Sequence, residues 1–230
     1  MKILKAPSPN FNERTLPIDT IVIHYTNKPT VEEALAWLTD PLKKLSAHYL
    51  IDEEGRLYQL VPEEKRAWHA GESYWQGCTD INSCSLGIEL ANGGADHGYT
   101  PFPSSQIDTL LRLCEDLRTR WSIPTHRILG HSDVAPRRKQ DPGHLFPWEL
   151  LAKEGLGLWP KEIREGRGID MVEALSRIGY ETLSPTQTLL AFQRHFQPHK
   201  MDGLSDHETL SLLQSLLQTQ ECLALQNKRF

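Results

Sequence analysis

Between Gly130 and Gly143 the chain reads Gly-His-Ser-Asp-Val-Ala-Pro-Arg-Arg-Lys-Gln-Asp-Pro-Gly, and three of these side chains could act together: His131, Lys139 and Asp141. An imidazole and a carboxylate can be aimed at one point if the backbone between them is an ordered loop. Two prolines and two glycines argue against a helix or a regular strand across this stretch. Pro142 restricts Asp141 to extended backbone, and Gly130 and Gly143 permit tight turns on either side. A catalytic zinc takes three protein ligands of this kind and keeps a fourth position for water. The loop offers two, so a third must come from elsewhere. Taken alone, the stretch also fits a polar surface loop with an incidental His and Asp.

Hydrophobic periodicity defines the elements that must position these groups. Asp19 to Tyr25 carries the β-branched run Ile21, Val22, Ile23 of a buried strand. His24 sits near its end, where side chains in open α/β sheets line active sites, or where a histidine simply caps the sheet. Thr30 and Glu33 form the Thr-x-x-Glu signature that opens a helix, with Val31, Ala34, Leu35 and Leu38 on its apolar face. Ala47 to Ile51 and Leu57 to Val61 read as strands joined by a turn through Gly55, and His48 reads as structural or at the edge of a site.

Arg66-Ala-Trp-His-Ala-Gly71 has no periodicity and sets an aromatic beside a histidine. Trp68 and His69 would stack on and hydrogen-bond to a polar ligand, or else pack and be solvated. Leu86 to Leu90 is a strand with one oddity, Glu89, because an ionisable group in an apolar strand is costly unless paired, solvated or functional. Ser104 is expected to cap a long helix with Ile107, Leu110, Leu111, Cys114, Leu117 and Trp121 at helical spacing. Arg127 to Gly130 is a short strand that delivers His131. This order predicts an α/β fold with a mixed central sheet flanked by helices.

The bulk properties narrow the function class. A chain of 230 residues with 39% hydrophobic and 24% charged residues is an ordinary globular protein with room for a real core. A net charge of −5 and the lack of a basic block argue against nucleic acid as a partner. No apolar run approaches a membrane span, and no secretory leader is visible at the start, which favours the cytoplasm. Cys78 and Cys84 could be bridged, but free thiols in a reducing compartment are expected. A monomer is expected.

Five pieces recur in order: Ile-Val-Ile-His24, Ser-Ala-His48, Arg-Ala-Trp-His69-Ala-Gly, Gly-Ile-Glu89, and the loop from His131 through Lys139 to Asp141. Together they resemble the zinc-dependent N-acetylmuramoyl-L-alanine amidases (the Amidase_2 family). The resemblance implies that His24, His131 and Asp141 hold Zn2+, that Glu89 is the catalytic acid/base, and that Lys139 stabilises the tetrahedral intermediate. It implies a peptidoglycan or muropeptide substrate, cut between N-acetylmuramic acid (or its 1,6-anhydro form) and L-alanine. Phage-type members carry a tyrosine before the histidine matching His48. This chain has Ala47, which groups it with members that rely on the glutamate.

Two rival classes remain. A peptidoglycan-recognition protein of the same fold would only bind, but such relatives characteristically lack the complete zinc set that this chain keeps. A cysteine hydrolase would pair Cys78 or Cys84 with His69, although no nucleophile signature surrounds either thiol.

The composition shifts after Trp148. Residues from about 155 to 169 are rich in glycine and charge and read as a linker between a catalytic domain (1–158) and a tail (170–230). The tail shows three helical patterns, near Met171–Ile178, Pro185–Phe196 and Asp206 to Leu223, so a small all-α three-helix domain is expected. Its Leu189-to-Phe196 stripe and the Asp202-Gly run that follows resemble the three-helix peptidoglycan-binding domain, which is more at home in the cell envelope. Pro198 separates His195 from His199 and argues against a second metal site there. A tail of this kind is expected to fold independently, so that its removal spares hydrolysis of small soluble fragments and weakens action on wall polymer.

Overall fold

The structure is a computed structural model that describes residues 2–160, 162–166 and 168–227. Lys161 and Arg167 of the expected linker, and residues 228–230 at the end of the tail, lie outside the described residues. In chain order the elements are β1 (Ile3–Lys5), β2 (Phe11–Glu13), β3 (Thr20–Tyr25), α1 (Val31–Thr39), β4 (Tyr49–Ile51), β5 (Leu57–Gln59), β6 (Lys65–Ala67), α2 (Ile81–Cys84), β7 (Ser85–Leu90), α3 (Gly94–His97) and α4 (Ser104–Trp121). There follow β8 (Ile128–Gly130), α5 (His131–Val134), α6 (Trp148–Lys153), α7 (Met171–Ile178), α8 (Pro185–Phe196) and α9 (His207–Asn227).

Six strands form one sheet in the order β1-β5-β4-β7-β3-β8, and β2 pairs with β6 in a separate ribbon. The contacts β4–β7, β7–β3 and β3–β8 are parallel, while β4–β5 is antiparallel, so the sheet is mixed as the sequence predicts. The four strands β4, β7, β3 and β8 run side by side in one direction. Their carboxyl ends therefore share one edge, where open α/β sheets bind ligands.

The two faces of the sheet follow from period-two alternation. On one face Ile21, Ile23, Leu86, Ile88, Leu90 and Ile128 pack against α4 through Ile107, Leu110, Leu113 and Leu117. Each fully buried Leu or Ile of this kind contributes about 1.5–3 kcal/mol, and this layer holds the strands rigid. On the opposite face β3 presents Val22 and His24 in succession, and β7 presents Gly87 and Glu89. Helix α1 covers one flank of that face with Val31, Ala34 and Leu38 against Leu50. Its first turn is capped as expected, Glu33 N–H donating to Thr30 Oγ1 at 3.2 Å.

The other flank is covered by the tail. Val22, Leu129, Val134, Trp75 and Ile81 share one apolar cluster with Leu175, Phe192 and Leu213 of the three tail helices and with Tyr180 between α7 and α8. The glycine- and charge-rich stretch suggests a loose tether, but the tail is packed onto the sheet through a common core. Its helices fall where the periodicity puts them.

Two local expectations change. Helix α4 takes Pro103, not Ser104, as its cap, and Ser105 Oγ instead donates to Glu53 O at 2.5 Å. The stretch after Gly130 is not loop throughout: His131–Val134 closes a single helical turn. Asp133 makes that turn possible, because its carboxylate accepts the otherwise orphaned Gly130 N–H at 2.7 Å. Cys78 and Cys84 are free, with sulfurs 3.8 Å apart. Among the described residues no helix is long and apolar enough to cross a membrane.

Candidate active site

The register of the parallel strands brings the chemistry together. His24 lies beside Glu89 across the β3–β7 pair, and Ile23 lies beside Gly130 across β3–β8, so His131 emerges next to His24. The loop then turns back, Ser132 N–H donating to Asp141 O at 2.9 Å. Tyr99 pins the far side of this return: its hydroxyl donates to Pro142 O at 2.8 Å and accepts from Leu145 N–H at 2.9 Å. The result is a convergence of three donor atoms. His24 Nδ1 is 2.9 Å from His131 Nδ1, and each is 3.0 Å from Asp141 Oδ2. Among the described residues these three form the one His/Asp cluster with the spacing to hold a metal ion.

The cluster fits a zinc-type ion on two counts. Bonds of about 2.0–2.2 Å in a tetrahedron would separate the donors by about 3.3 Å or slightly more, within a few tenths of an ångström of the distances present. The proton inventory also fits. His131 Nε2 faces Ala70 O at 3.1 Å and must donate, which leaves Nδ1 as a bare lone pair. His24 Nε2 faces His69 Nδ1 at 3.1 Å; His69 Nε2 faces Ser85 Oγ at 3.2 Å, and Ser85 donates to Ile81 O at 2.5 Å. Read back from that carbonyl, each ring donates through Nε2 and accepts at Nδ1, so His24 Nδ1 is also bare. Such outer hydrogen bonds fix tautomer and orientation in metal sites.

Charge follows the same pattern. Burial, reinforced by His131, lowers the His24 pKa to about 4, so this ring is neutral at physiological pH. Burial would raise the Asp141 carboxyl, but His131 and His24 beside it prevail and hold it well below the usual range. Glu89 goes the other way: burial lifts it well above the usual range, Asp141 adds to the rise and Lys139 opposes it. Its Oε2 is buried without a hydrogen-bond partner. An orphaned carboxylate oxygen of this kind, beside a metal-type cluster, is a proton acceptor in need of a donor.

The cluster opens into a cleft of about 590 Å³ lined by Glu89, Lys139, Trp68, Trp37, Asn27 and Arg138 among others. Lys139 lies on the loop between His131 and Asp141 and lends positive charge to the cleft wall. Trp68 is partly exposed at the rim, its Nε1 donating to Asn12 Oδ1 at 2.8 Å. His69 is largely buried, packs edge-to-face beneath His24, and forms part of the cleft lining beside Trp68. Asn82 holds it there, Oδ1 accepting the N–H groups of His69 and Ala70 at 2.9 and 2.7 Å. Gly87 leaves room for its ring: a Cβ at that position would stand 2.5 Å from His69 Cγ. His48 is structural, accepting Gly87 N–H at its Nδ1 at 2.9 Å.

The sequence missed Tyr99, Asn82 and Ser85, whose roles arise only from folding. The glycine of Gly-Ile-Glu was a usable signal, since Gly inside a strand marks close approach by another group. The cysteine alternative fails on chemistry. Burial pushes the Cys84 thiol up to about 12, and the hydrogen bonds of the His69 ring nitrogens go to His24 and Ser85.

Comparison with known proteins gives the same picture. Residues 14–144 match the Amidase_2 family model, described as N-acetylmuramoyl-L-alanine amidase. The chain is 38% identical over 231 residues to the N-acetylmuramoyl-L-alanine amidase AmiD of Escherichia coli K12, covering 87% of this chain and 83% of AmiD. It superposes with a TM-score of 0.81 and 35% identity on a complex of E. coli AmiD with the substrate anhydro-N-acetylmuramic acid-L-Ala-D-γ-Glu-L-Lys, over 91% of this chain and 97% of that one. AmpDh3 of Pseudomonas aeruginosa, solved with an anhydromuramic pentapeptide, also gives 0.81, at 32% identity over 88% of this chain and 92% of its own. With the match spanning both the site and the tail, the chain belongs to the N-acetylmuramoyl-L-alanine amidases, an enzyme family.

Proposed function

We propose that this protein is a zinc amidase that hydrolyses the bond between N-acetylmuramic acid, or its 1,6-anhydro form, and the L-alanine of a peptidoglycan stem peptide. The observation that carries the reading is the meeting of His24 Nδ1, His131 Nδ1 and Asp141 Oδ2 beside an orphaned Glu89 oxygen. His24, His131 and Asp141 would hold the ion. When bound, zinc supplies Lewis acidity, polarising the amide carbonyl and lowering the pKa of water from 15.7 toward about 7.

The remaining work falls to side chains. Glu89, lifted by burial, accepts the proton of the attacking water and passes it to the departing L-alanine nitrogen, which could not leave as an anion. Lys139 offers its ammonium to the amide oxygen as that atom becomes negative, a positive charge fixed in place before the reaction. Trp68, at the rim, presents an apolar face to sugar or peptide. Residues 170–230 keep the reading of a peptidoglycan-binding unit, fused to the catalytic part (1–158) through a shared core.

The test is product identity. Incubation with anhydro-N-acetylmuramic acid-L-Ala-D-γ-Glu-L-Lys should release a peptide with a free L-alanine amine and a sugar with a free lactyl carboxylate, both read by mass. Cleavage at a different bond, or binding without turnover, would overturn the assignment and favour the recognition-protein reading.

A further inference from the structure

The buried carboxylate of Asp133 plays no part in the chemistry above, yet it lies two residues from His131 and is 1% exposed. A carboxylate in such a place is costly unless its lone pairs are satisfied. Three donors meet it. Gly130 N–H donates to Oδ2 at 2.7 Å and so closes the turn that carries His131. The other two come from the tail: His195 Nδ1 to Oδ2 at 2.8 Å, and the Tyr180 hydroxyl to Oδ1 at 2.7 Å. Without them the carboxylate would keep one partner and be drawn out of its turn toward water.

The tail residues are themselves held firmly. His195 stacks on Trp148 at 3.9 Å between ring centroids and 15° between planes. Trp148 in turn lies under Gly130, where an added Cβ would stand 3.1 Å from its Cζ2. Tyr180 is 1% exposed and meets Trp75 edge-to-face at 4.9 Å. His195 Nε2 has no partner, so Asp133 is the polar contact that orients this ring.

We propose that the tail is a positioning element of the metal site: His195 and Tyr180 act through Asp133 to fix the turn that aims His131 at the metal. This rests on the metal reading above. A tail seen only as a wall-binding module has no need of two buried hydrogen bonds to the segment that bears a ligand. They serve zinc affinity.

The experiment measures the zinc dissociation constant of the full-length protein by competition with a chromophoric chelator, alongside melting of the metal-free forms. Tyr180→Phe removes one hydroxyl and leaves the ring packing intact. It should weaken zinc binding about fivefold, the worth of one hydrogen bond, and lower Tm by only about 2–4 °C per kcal/mol lost. His195→Ala should weaken zinc binding about tenfold or more, the usual scale for partners of metal ligands, and His195→Asn, which restores a donor near Nδ1, should recover most of the loss. Leu213→Ala, a cavity in the tail core that removes none of the hydrogen bonds to Asp133, should lower Tm with zinc affinity within about twofold of wild type. The proposal is overturned if Tyr180→Phe and every folded His195 variant bind zinc as the wild type does. It is equally overturned if loss of affinity merely tracks Tm across all variants, Leu213→Ala included. Should His195→Ala not fold, Tyr180→Phe carries the decision. A wild-type protein that binds no zinc would instead defeat the metal reading, a distinct result.

Discussion

Replacing Glu89 by Gln separates chemistry from architecture more cleanly than any other single change. The side chain keeps its size, and Oε2 has no hydrogen bond to lose. What disappears is the proton acceptor. Positioned general acid–base catalysis is worth about 10²–10⁴ in rate, or about 2.7–5.4 kcal/mol at 1.36 kcal/mol per decade, so kcat on a soluble muramyl-tripeptide should fall by that factor with zinc content unchanged. Stability should move the other way. Burial raises the folded-state pKa of Glu89 well above the ordinary range of a glutamate. A carboxyl raised in this way contributes fully at pH values below its unfolded pKa, and that contribution is lost as pH climbs through the folded value. Gln has no such loss. Metal-free Glu89→Gln should therefore match the metal-free wild type near pH 4 and become the more stable of the two as pH rises, read as the difference in Tm across a pH series. Unchanged turnover in the variant would refute the assignment of Glu89, and a Tm gap that narrows with rising pH would refute its raised pKa.

Lys139→Ala should lower kcat by about 10²–10³ with zinc retained, the scale for loss of one charge-stabilising group; zinc analysis beside steady-state kinetics checks both halves. Gly87→Ala places a Cβ 2.5 Å from His69 Cγ, so the ring must move, at about 1–3 kcal/mol in stability, and zinc affinity should fall with it, as competition titration will read. Removing residues 170–230 uncovers Val22, Leu129, Val134, Trp75 and Ile81. At about 1.5–3 kcal/mol for each large apolar side chain, this rivals the whole stability of a domain, about 5–15 kcal/mol. The truncated chain should show no cooperative melt and no activity even on soluble fragments; full activity on them would restore the independent tail expected from the linker composition.

The site was legible because its residue types are few and their places in the strands are regular. His24 and Glu89 each stand next to last in a β-branched or apolar run, and parallel pairing in register turns those separate positions into neighbours. The loop could be read because Lys139 and Asp141 sit among prolines and glycines. The single turn at His131 could not, since it is closed by Asp133 reaching back to the Gly130 N–H and the signal for it is one hydrogen bond. Strands β1 and β2 are three residues long and mostly exposed, so they carry no apolar period to detect. The docking of the tail was hidden for a different reason. Val22 and Leu129 look the same in sequence whether a helix of the same domain or of the tail covers them. His195 on a helical stripe and Tyr180 in the turn after α7 are likewise ordinary in sequence, and only the fold sets Asp133 between them.

The central claim is that His24, His131 and Asp141 hold one catalytic zinc. The direct measurement is zinc stoichiometry and turnover of the same samples: wild type, wild type stripped by chelator and then resupplied, and His131→Ala. One zinc per chain in the wild type, turnover lost on stripping and regained with zinc, and neither zinc nor turnover in His131→Ala is the result expected. Full turnover by the stripped, metal-free protein would contradict it.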